Sequence, residues 1–349
     1  GVIKPCCRYD TQYAKGLVDN STDLVTLDNV IQGTGWQSLR TQMETTPPLD
    51  ACQKCVIEEN CGKKSLRISP EEAEKKYDAD LTSHSLKYLE VGFSNICNLA
   101  CRTCRSSLST KWYEDDNYLN ESGFHRGMPS QKVQSIHSSM LESSTYKDLR
   151  LLKLTGGEPF LHKELLTALK ELIKANNTDK TTLNISTNAS FIPSDETIKL
   201  LDQFEHVILN VSIDGHGIHN DYIRSYSKWT TVEDTLHFWR KKVNQHAKWK
   251  ITLAVTISIY SLESFPNLYE WWEEYTKELP RNQYNIAYQI LTNPMYLAPS
   301  IVSHEDVNYF KYGHNLKIIN YFNGLNHTSK NIDDFLQYNA LLDLKRKTD

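Results

Sequence analysis

Eight cysteines fall into three short stretches: Cys6 and Cys7, then Cys52, Cys55 and Cys61, then Cys97, Cys101 and Cys104. The last three lie in "NICNLACRTC" (95–104), directly after the apolar run "YLEV". A disulfide framework would spread its bridges over the fold and would not persist in a reducing compartment, so clustered thiols point to metal. CxxxCxxC after a strand is the layout of a loop that wraps a [4Fe–4S] cluster with three thiolates and leaves one iron without a protein ligand. Zinc would need a fourth ligand for a closed site, or an open position for catalysis. No histidine or carboxylate lies inside the motif, so a fourth ligand would come from elsewhere.

Such a loop needs a frame. Apolar runs at 87–93 ("KYLEVGF"), 149–155 ("LRLLKLT"), 181–187 ("TTLNIST"), 206–213 ("HVILNVSI"), 250–259 ("KITLAVTISI") and 284–291 ("YNIAYQIL") predict six strands. Amphipathic stretches at 162–176, 194–204, 231–243 and 262–279 predict helices between them. Ser194 and Thr231, each followed by acidic residues, predict two of the helix starts. Strands alternating with helices make a parallel sheet, either doubly wound or an open relative of the eight-fold barrel. In both, chemistry collects at the C-terminal ends of the strands. There the sequence sets the cysteine loop, then "GGEP", "TNAS" and "DGHG", four loops on one rim.

These segments resemble the radical S-adenosylmethionine (SAM) superfamily. "LTGGEPFL" (154–161) is similar to its GGE motif, "STN" (186–188) to its ribose-contacting segment, and "VSIDGHGIHNDYIR" (211–224) to the SIDG…R segment of the peptide-modifying branch. The resemblance implies an α/β fold, a partial (βα)6 barrel, over roughly residues 86–300. It implies that Cys97, Cys101 and Cys104 ligate a [4Fe–4S] cluster whose fourth iron is chelated by SAM. Reductive cleavage of SAM then gives a 5′-deoxyadenosyl radical that abstracts hydrogen from a substrate. No catalytic side chain is assigned beyond cluster and SAM.

In the same resemblance Gly156, Gly157 and Glu158 meet the SAM ammonium, Ser186 and Asn188 the ribose, and Ser212 and Asp214 the same rim. Arg224 pairs with the SAM carboxylate, whose geometry matches a guanidinium. One departure is Thr103, before the third cysteine, where the superfamily often has an aromatic residue near the adenine.

Residues 1–70 carry little periodicity and five of the cysteines. They resemble the twitch or SPASM modules that bind auxiliary iron–sulfur clusters in this superfamily, placed here before the barrel. Cys7, Cys52 and Cys55 are the expected ligands, with the fourth left between Cys6 and Cys61. Adjacent cysteines on an extended segment point opposite ways, so one of Cys6 and Cys7 faces a given cluster. Structural zinc stays open by ligand type. Residues 71–85 read as a linker and 301–349 as a helical extension without a chemical motif. Trp271, Trp272, Tyr269 and Tyr275 read as a helix face packed on the sheet, and His206, His216 and His219 as scattered loop histidines.

The formal net charge of −4, with interspersed signs, argues against nucleic-acid partners. The absence of an 18-residue apolar stretch or a secretory layout leads to a cytoplasmic expectation without a membrane partner. Residue 1 is Gly and the chain reads as starting within a strand, so a beginning further upstream is expected. The expected partners are a peptide, protein or small-molecule substrate and an external one-electron reductant. The rival reading is a non-catalytic zinc- or cluster-binding scaffold.

Overall fold

A computed structural model describes residues 3–7, 9–14, 26–45, 49–60, 65, 85–126, 141, 144–302 and 331–348. Among them are eight strands: β1 (Tyr88–Gly92), β2 (Ala100–Cys101), β3 (Leu151–Thr155), β4 (Thr182–Thr187), β5 (His206–Ser212), β6 (Arg224–Ser225), β7 (Lys250–Ile257) and β8 (Tyr284–Ile290). Six form one sheet in the order β1-β3-β4-β5-β7-β8, every neighbouring pair parallel, while β2 and β6 make a separate antiparallel ribbon. All six strands expected from the apolar runs are therefore present, trimmed by a residue or two at their ends. Because β1 and β8 are the two edges, the sheet is open.

Parallel neighbours need crossovers. Helices Lys163–Lys174, Asp195–Leu201, Trp229–Gln245 and Phe265–Thr276 supply them. Alternation along β4 and β5 sends Leu183, Ile185, Val207, Leu209 and Val211 to one buried face. There they pack with Leu165, Leu169, Leu172, Leu236, Trp239, Leu268, Trp272 and Tyr275 of the helices. Trp272 and Tyr275 are thus core residues, as their helical spacing predicted. The opposite face is polar and half-buried, carrying Glu90 and Lys153 in an ion pair at 3.3 Å, and Asn210 bonded to Asn184.

Ser194 caps its helix, its hydroxyl accepting from the Thr197 N–H at 3.3 Å. Thr231 does not: the helix begins at Trp229, whose N–H is accepted by Asp221 Oδ2 at 2.9 Å. Asp221, on the short preceding helix Ile218–Ile223, thus serves the first N–H of this helix, whose start lies two residues upstream of Thr231.

A second core surrounds the cysteine loop. Ala100, Trp112, Leu119, Phe124, Leu297, Tyr338 and Leu342 form it, so helix Ile332–Arg346 packs directly on that loop. Near the N-terminus, Leu27 and Ile31 join the main core, whereas Tyr9, Ala14, Leu39 and Ala51 make a small cluster of their own. Residues 66–84 and 303–330, which include most of the expected linker and the first part of the expected extension, lie outside the described residues. No helix among the described residues is long and apolar enough to cross a membrane.

Leu209, fully buried in the middle of the sheet, tests the layering. Leu209→Ala is expected to lower the unfolding free energy by about 2–5 kcal/mol in a urea titration; a loss below about 1 kcal/mol would mean that this face is not the main core.

Candidate functional site

The three-cysteine loop leaves β1 and returns through the ribbon β2–β6, where Cys101 lies opposite Arg224 in register. Its backbone is held at successive carbonyls. Ser109 Oγ donates to Leu99 O at 2.6 Å, Trp112 Nε1 to Cys101 O at 2.9 Å, Tyr338 Oη to Arg102 O at 2.7 Å, and Arg126 Nη2 to Cys104 O at 2.8 Å. These bonds hold the loop's backbone at four of its carbonyls.

Electrostatically the thiols differ. Burial raises Cys97 to about 11. Cys101 is lowered to about 7, chiefly because the Cys104 thiol donates to it, with Arg224 assisting; Cys104, the donor, is pushed well above the ordinary thiol range. The Leu99 N–H and Asn188 Nδ2 approach Cys97 Sγ at 3.5 and 3.8 Å, and Arg224 Nη1 approaches Cys101 Sγ at 3.7 Å. Nitrogen donors aimed at sulfur favour the thiolate form that binds metal.

The GGE loop is seated against the same loop. Gly156 and Gly157 have φ of +87° and +55°, the left-handed region that glycine adopts without a Cβ penalty. A Cβ on Gly156 would lie 2.9 Å from Gly92 Cα, Phe93 N and Ser94 O, and one on Gly157 only 1.9 Å from Ile96 O. The close approach these glycines permit is therefore first of all to the chain's own residues 92–96. Glu158 N–H then donates to Ile96 O at 2.9 Å.

The Glu158 carboxylate is almost wholly buried and turned toward the next loop, accepting from the Asn188 N–H at 2.7 Å and the Phe160 N–H at 3.3 Å. Burial raises it to about 7 in spite of those donors. Asn188 in turn donates to Asn98 Oδ1 at 2.9 Å, and Ser190 Oγ donates to Asn188 Oδ1 at 2.6 Å. Asn98 and Ser190, also bonded to each other at 2.7 Å, complete the link between the third loop and the first. Sequence reading passed over both.

On the far side, Arg224 pairs with Asp214 at 2.9 Å, and Asp214 also accepts from the Thr256 N–H at 2.7 Å. Burial works against the Arg224 charge, but Asp214 and the three thiols outweigh it and hold the guanidinium protonated. Arg224 Nε is buried with no hydrogen-bond partner among the described residues. Ser186 and Ser212 are half-buried on the polar face, at or next to the C-terminal ends of β4 and β5. Thus Gly157, Glu158, Asn188 and Arg224 contact the cysteine loop, Gly156 packs on residues 92–94, Asp214 reaches the loop through Arg224, and Ser186 and Ser212 stand on the same rim.

The N-terminal cysteines are less closely gathered. Asp10 N–H donates to Ala51 O at 3.1 Å, which sets residues 6–10 beside residues 49–55, and buried Tyr9 has Cys52 and Cys6 as electrostatic neighbours. Cys6 and Cys7 are exposed, Cys52 is half-buried and Cys55 is buried; Cys61 lies outside the described residues. No group of three Cys, His, Asp or Glu among the described residues closes around a single metal-ion position. His206 and His216 stand at opposite ends of β5, the latter packed on Trp229 with ring centroids 4.9 Å apart.

The family model described as the Radical SAM superfamily matches residues 91–271. Among solved structures, the chain is similar to native anSMEcpe with bound AdoMet at 17% identity and a TM-score of 0.42, covering 75% of this chain and 63% of that one. It is similar to Streptococcus suis SuiB bound to S-adenosylmethionine at 13% identity and a TM-score of 0.43, covering 84% and 62%. For SuiB bound to the precursor peptide SuiA, the values are 11% and 0.39, covering 91% and 62%. The chain thus spans less than two thirds of the length of these proteins. No curated protein matches it.

Gly157→Ala is the sharpest test of the seating, since its Cβ would meet backbone and not a movable side chain. The variant is expected to lose about half of the wild-type iron on anaerobic reconstitution, the share held at Cys97, Cys101 and Cys104. Wild-type iron content in it would refute the close approach.

Proposed function

This chain belongs to the radical SAM superfamily, and from that premise we propose that it is an enzyme that cleaves SAM at a [4Fe–4S] cluster bound by Cys97, Cys101 and Cys104. The observation that carries the reading is the convergence on one rim of three thiols from a single loop and a buried arginine with an unpartnered donor. The residues present fit both groups. Three thiols can serve three irons and leave a corner for another ligand, and Arg224 Nε, buried without an acceptor among the described residues, suits a carboxylate. When bound, the cluster supplies the electron that splits the sulfur–C5′ bond of SAM, yielding methionine and a 5′-deoxyadenosyl radical that abstracts hydrogen from substrate.

The chain's own residues bind, orient and shield. Arg224, oriented by Asp214, receives the SAM carboxylate. The Gly156–Gly157 backbone and Glu158 meet its ammonium, a carboxylate and carbonyls being the acceptors that a cation needs. Ser186 offers a hydroxyl to the ribose, with Asn188 alongside in the network that also holds Asn98 and Ser190. Ser212 and Asp214 close the rim. The polar inner face of the open sheet provides hydrogen-bonding groups for a substrate, and the buried core behind it keeps bulk water from that side.

The similarity of "VSIDGHGIHNDYIR" to the peptide-modifying branch supports a peptide or protein as the substrate. Residues 1–70 form a twitch-like module for an auxiliary iron–sulfur cluster, ligated by Cys7, Cys52, Cys55 and either Cys6 or Cys61. The side-by-side placement of residues 6–10 and 49–55 supports this reading. A linker follows over 71–85, the catalytic core spans 86–300, and 301–349 form an extension. The protein acts in the cytoplasm with an external one-electron reductant.

The anaerobically reconstituted protein, given SAM and dithionite, is expected to release 5′-deoxyadenosine, quantified by liquid chromatography, and Cys97→Ala to reduce it by at least about 10³-fold. Unchanged product from that variant would sink the mechanism. For the second cluster, the double variant Cys52→Ala/Cys55→Ala is expected to lose about half the bound iron yet still cleave SAM; full iron retention would remove the auxiliary site.

A further inference from the structure

We propose that helix Ile332–Arg346 is a clamp that positions the cluster-binding loop, acting through Arg102, the residue that directly follows the second cysteine. This rests on the cluster reading above. Arg102 has a fully buried side chain, which is costly for a cation unless every donor is met. Its Nε donates to Tyr222 O at 3.0 Å, Nη1 to Asn339 Oδ1 at 3.0 Å, and Nη2 to Thr348 Oγ1 at 3.1 Å and to Asp343. Its carbon Cζ stacks 3.8 Å over the Tyr222 ring. Every side-chain donor therefore points away from the thiols and toward the helix or its support.

The backbone of the same residue is held as well. Arg102 N–H donates to Ile223 O at 2.8 Å, and Arg102 O accepts from Tyr338 Oη at 2.7 Å. Side chain and carbonyl of one loop residue are thus fastened to two neighbouring turns of a single helix, at Tyr338, Asn339 and Asp343. A second fastening runs in parallel. Arg346 reaches Asp115 Oδ2 at 2.6 Å and Ser225 Oγ at 2.7 Å, and Ser225 is the ladder partner of Ala100. With only Thr103 between Arg102 and Cys104, a shift of the helix must move Cys101 and Cys104 together.

Outer contacts of this kind set how firmly first ligands hold a metal group, and their loss typically costs 10–100-fold in retention. Among the described residues, Tyr338, Asn339, Asp343 and Arg346 bond to the loop's backbone, to Arg102 or to Ser225 and not to a thiol sulfur, so they are positioning residues and not ligands.

The test compares two deletions of the same bond type. Tyr338→Phe removes the bond to Arg102 O; Tyr275→Phe removes a tyrosine-to-carbonyl bond of 2.6 Å to Leu236 O, in the helix layer behind the sheet. Both variants are expected to fold with comparable thermal midpoints. Tyr338→Phe alone is expected to release cluster iron to a ferrous chelator about tenfold faster and to shift the electron paramagnetic resonance signal of the reduced cluster. In the metal-free proteins, amide hydrogen exchange over residues 97–104 is expected to rise in Tyr338→Phe and not in Tyr275→Phe.

Equal exchange and equal iron release in the two variants would overturn the clamp. Selective exchange in a wild-type protein that takes up no iron would leave the clamp standing and overturn the cluster reading instead.

Discussion

The site depends on one close contact, the packing of the Gly156–Gly157 backbone against residues 92–96. It brings the end of β3 onto the stem of the cysteine loop at a distance that no side chain permits. From there the order propagates. Glu158 is carried into position to accept the Asn188 N–H, Asn188 reaches Asn98, and the third loop is locked to the first. Glycine is usually explained by the freedom it gives its own backbone. Here the neighbour matters as much: Ile96 O occupies the volume that a Cβ would fill, so the pair acts as a socket for the residues leading to Cys97.

Charge is handled by pairing. Among the described residues, four arginine–aspartate pairs surround the loop: Arg102–Asp343, Arg126–Asp116, Arg224–Asp214 and Arg346–Asp115. Buried pairs of this sort contribute little net stability, because desolvation offsets their attraction, but removing one partner costs about 3–5 kcal/mol. Their effect is to specify a geometry. Each arginine has donors beyond those its aspartate uses, and these extra donors reach Cys104 O, Cys101 Sγ, Ser225 Oγ or the Tyr222 carbonyl. The aspartates orient the forks, and the forks orient the loop.

Much of this was legible in the sequence, and the reason is range. Period-two alternation in "HVILNVSI" or "TTLNIST" is a property of neighbouring residues, and the strands appeared where it predicted. The Ser194 cap, a contact over three residues, was equally readable. Thr231 was misread because the N–H groups of its helix start are served by Asp221, from another element. The spacing of CxxxCxxC suggested metal and the resemblance carried by GGE suggested a companion loop, yet their mutual seating could not be read, since a glycine letter does not say what approaches it. The C-terminal helix was legible as a helix, but its bracing role was not, for the same reason. Its chemistry is that of a support, and Tyr338, Asn339 and Asp343 form no local pattern around the loop they brace.

The distance along the chain between Arg102 and Asp343, 241 positions, bears on when the protein becomes able to hold a cluster. Ribosomes deliver about 5–20 residues per second. Cys97, Cys101 and Cys104 therefore emerge on the order of tens of seconds before the helix that braces their loop. During that interval the loop lacks its contacts to Tyr338, Asn339 and Asp343. The shape of the loop is in this sense settled only after 241 further positions have been made.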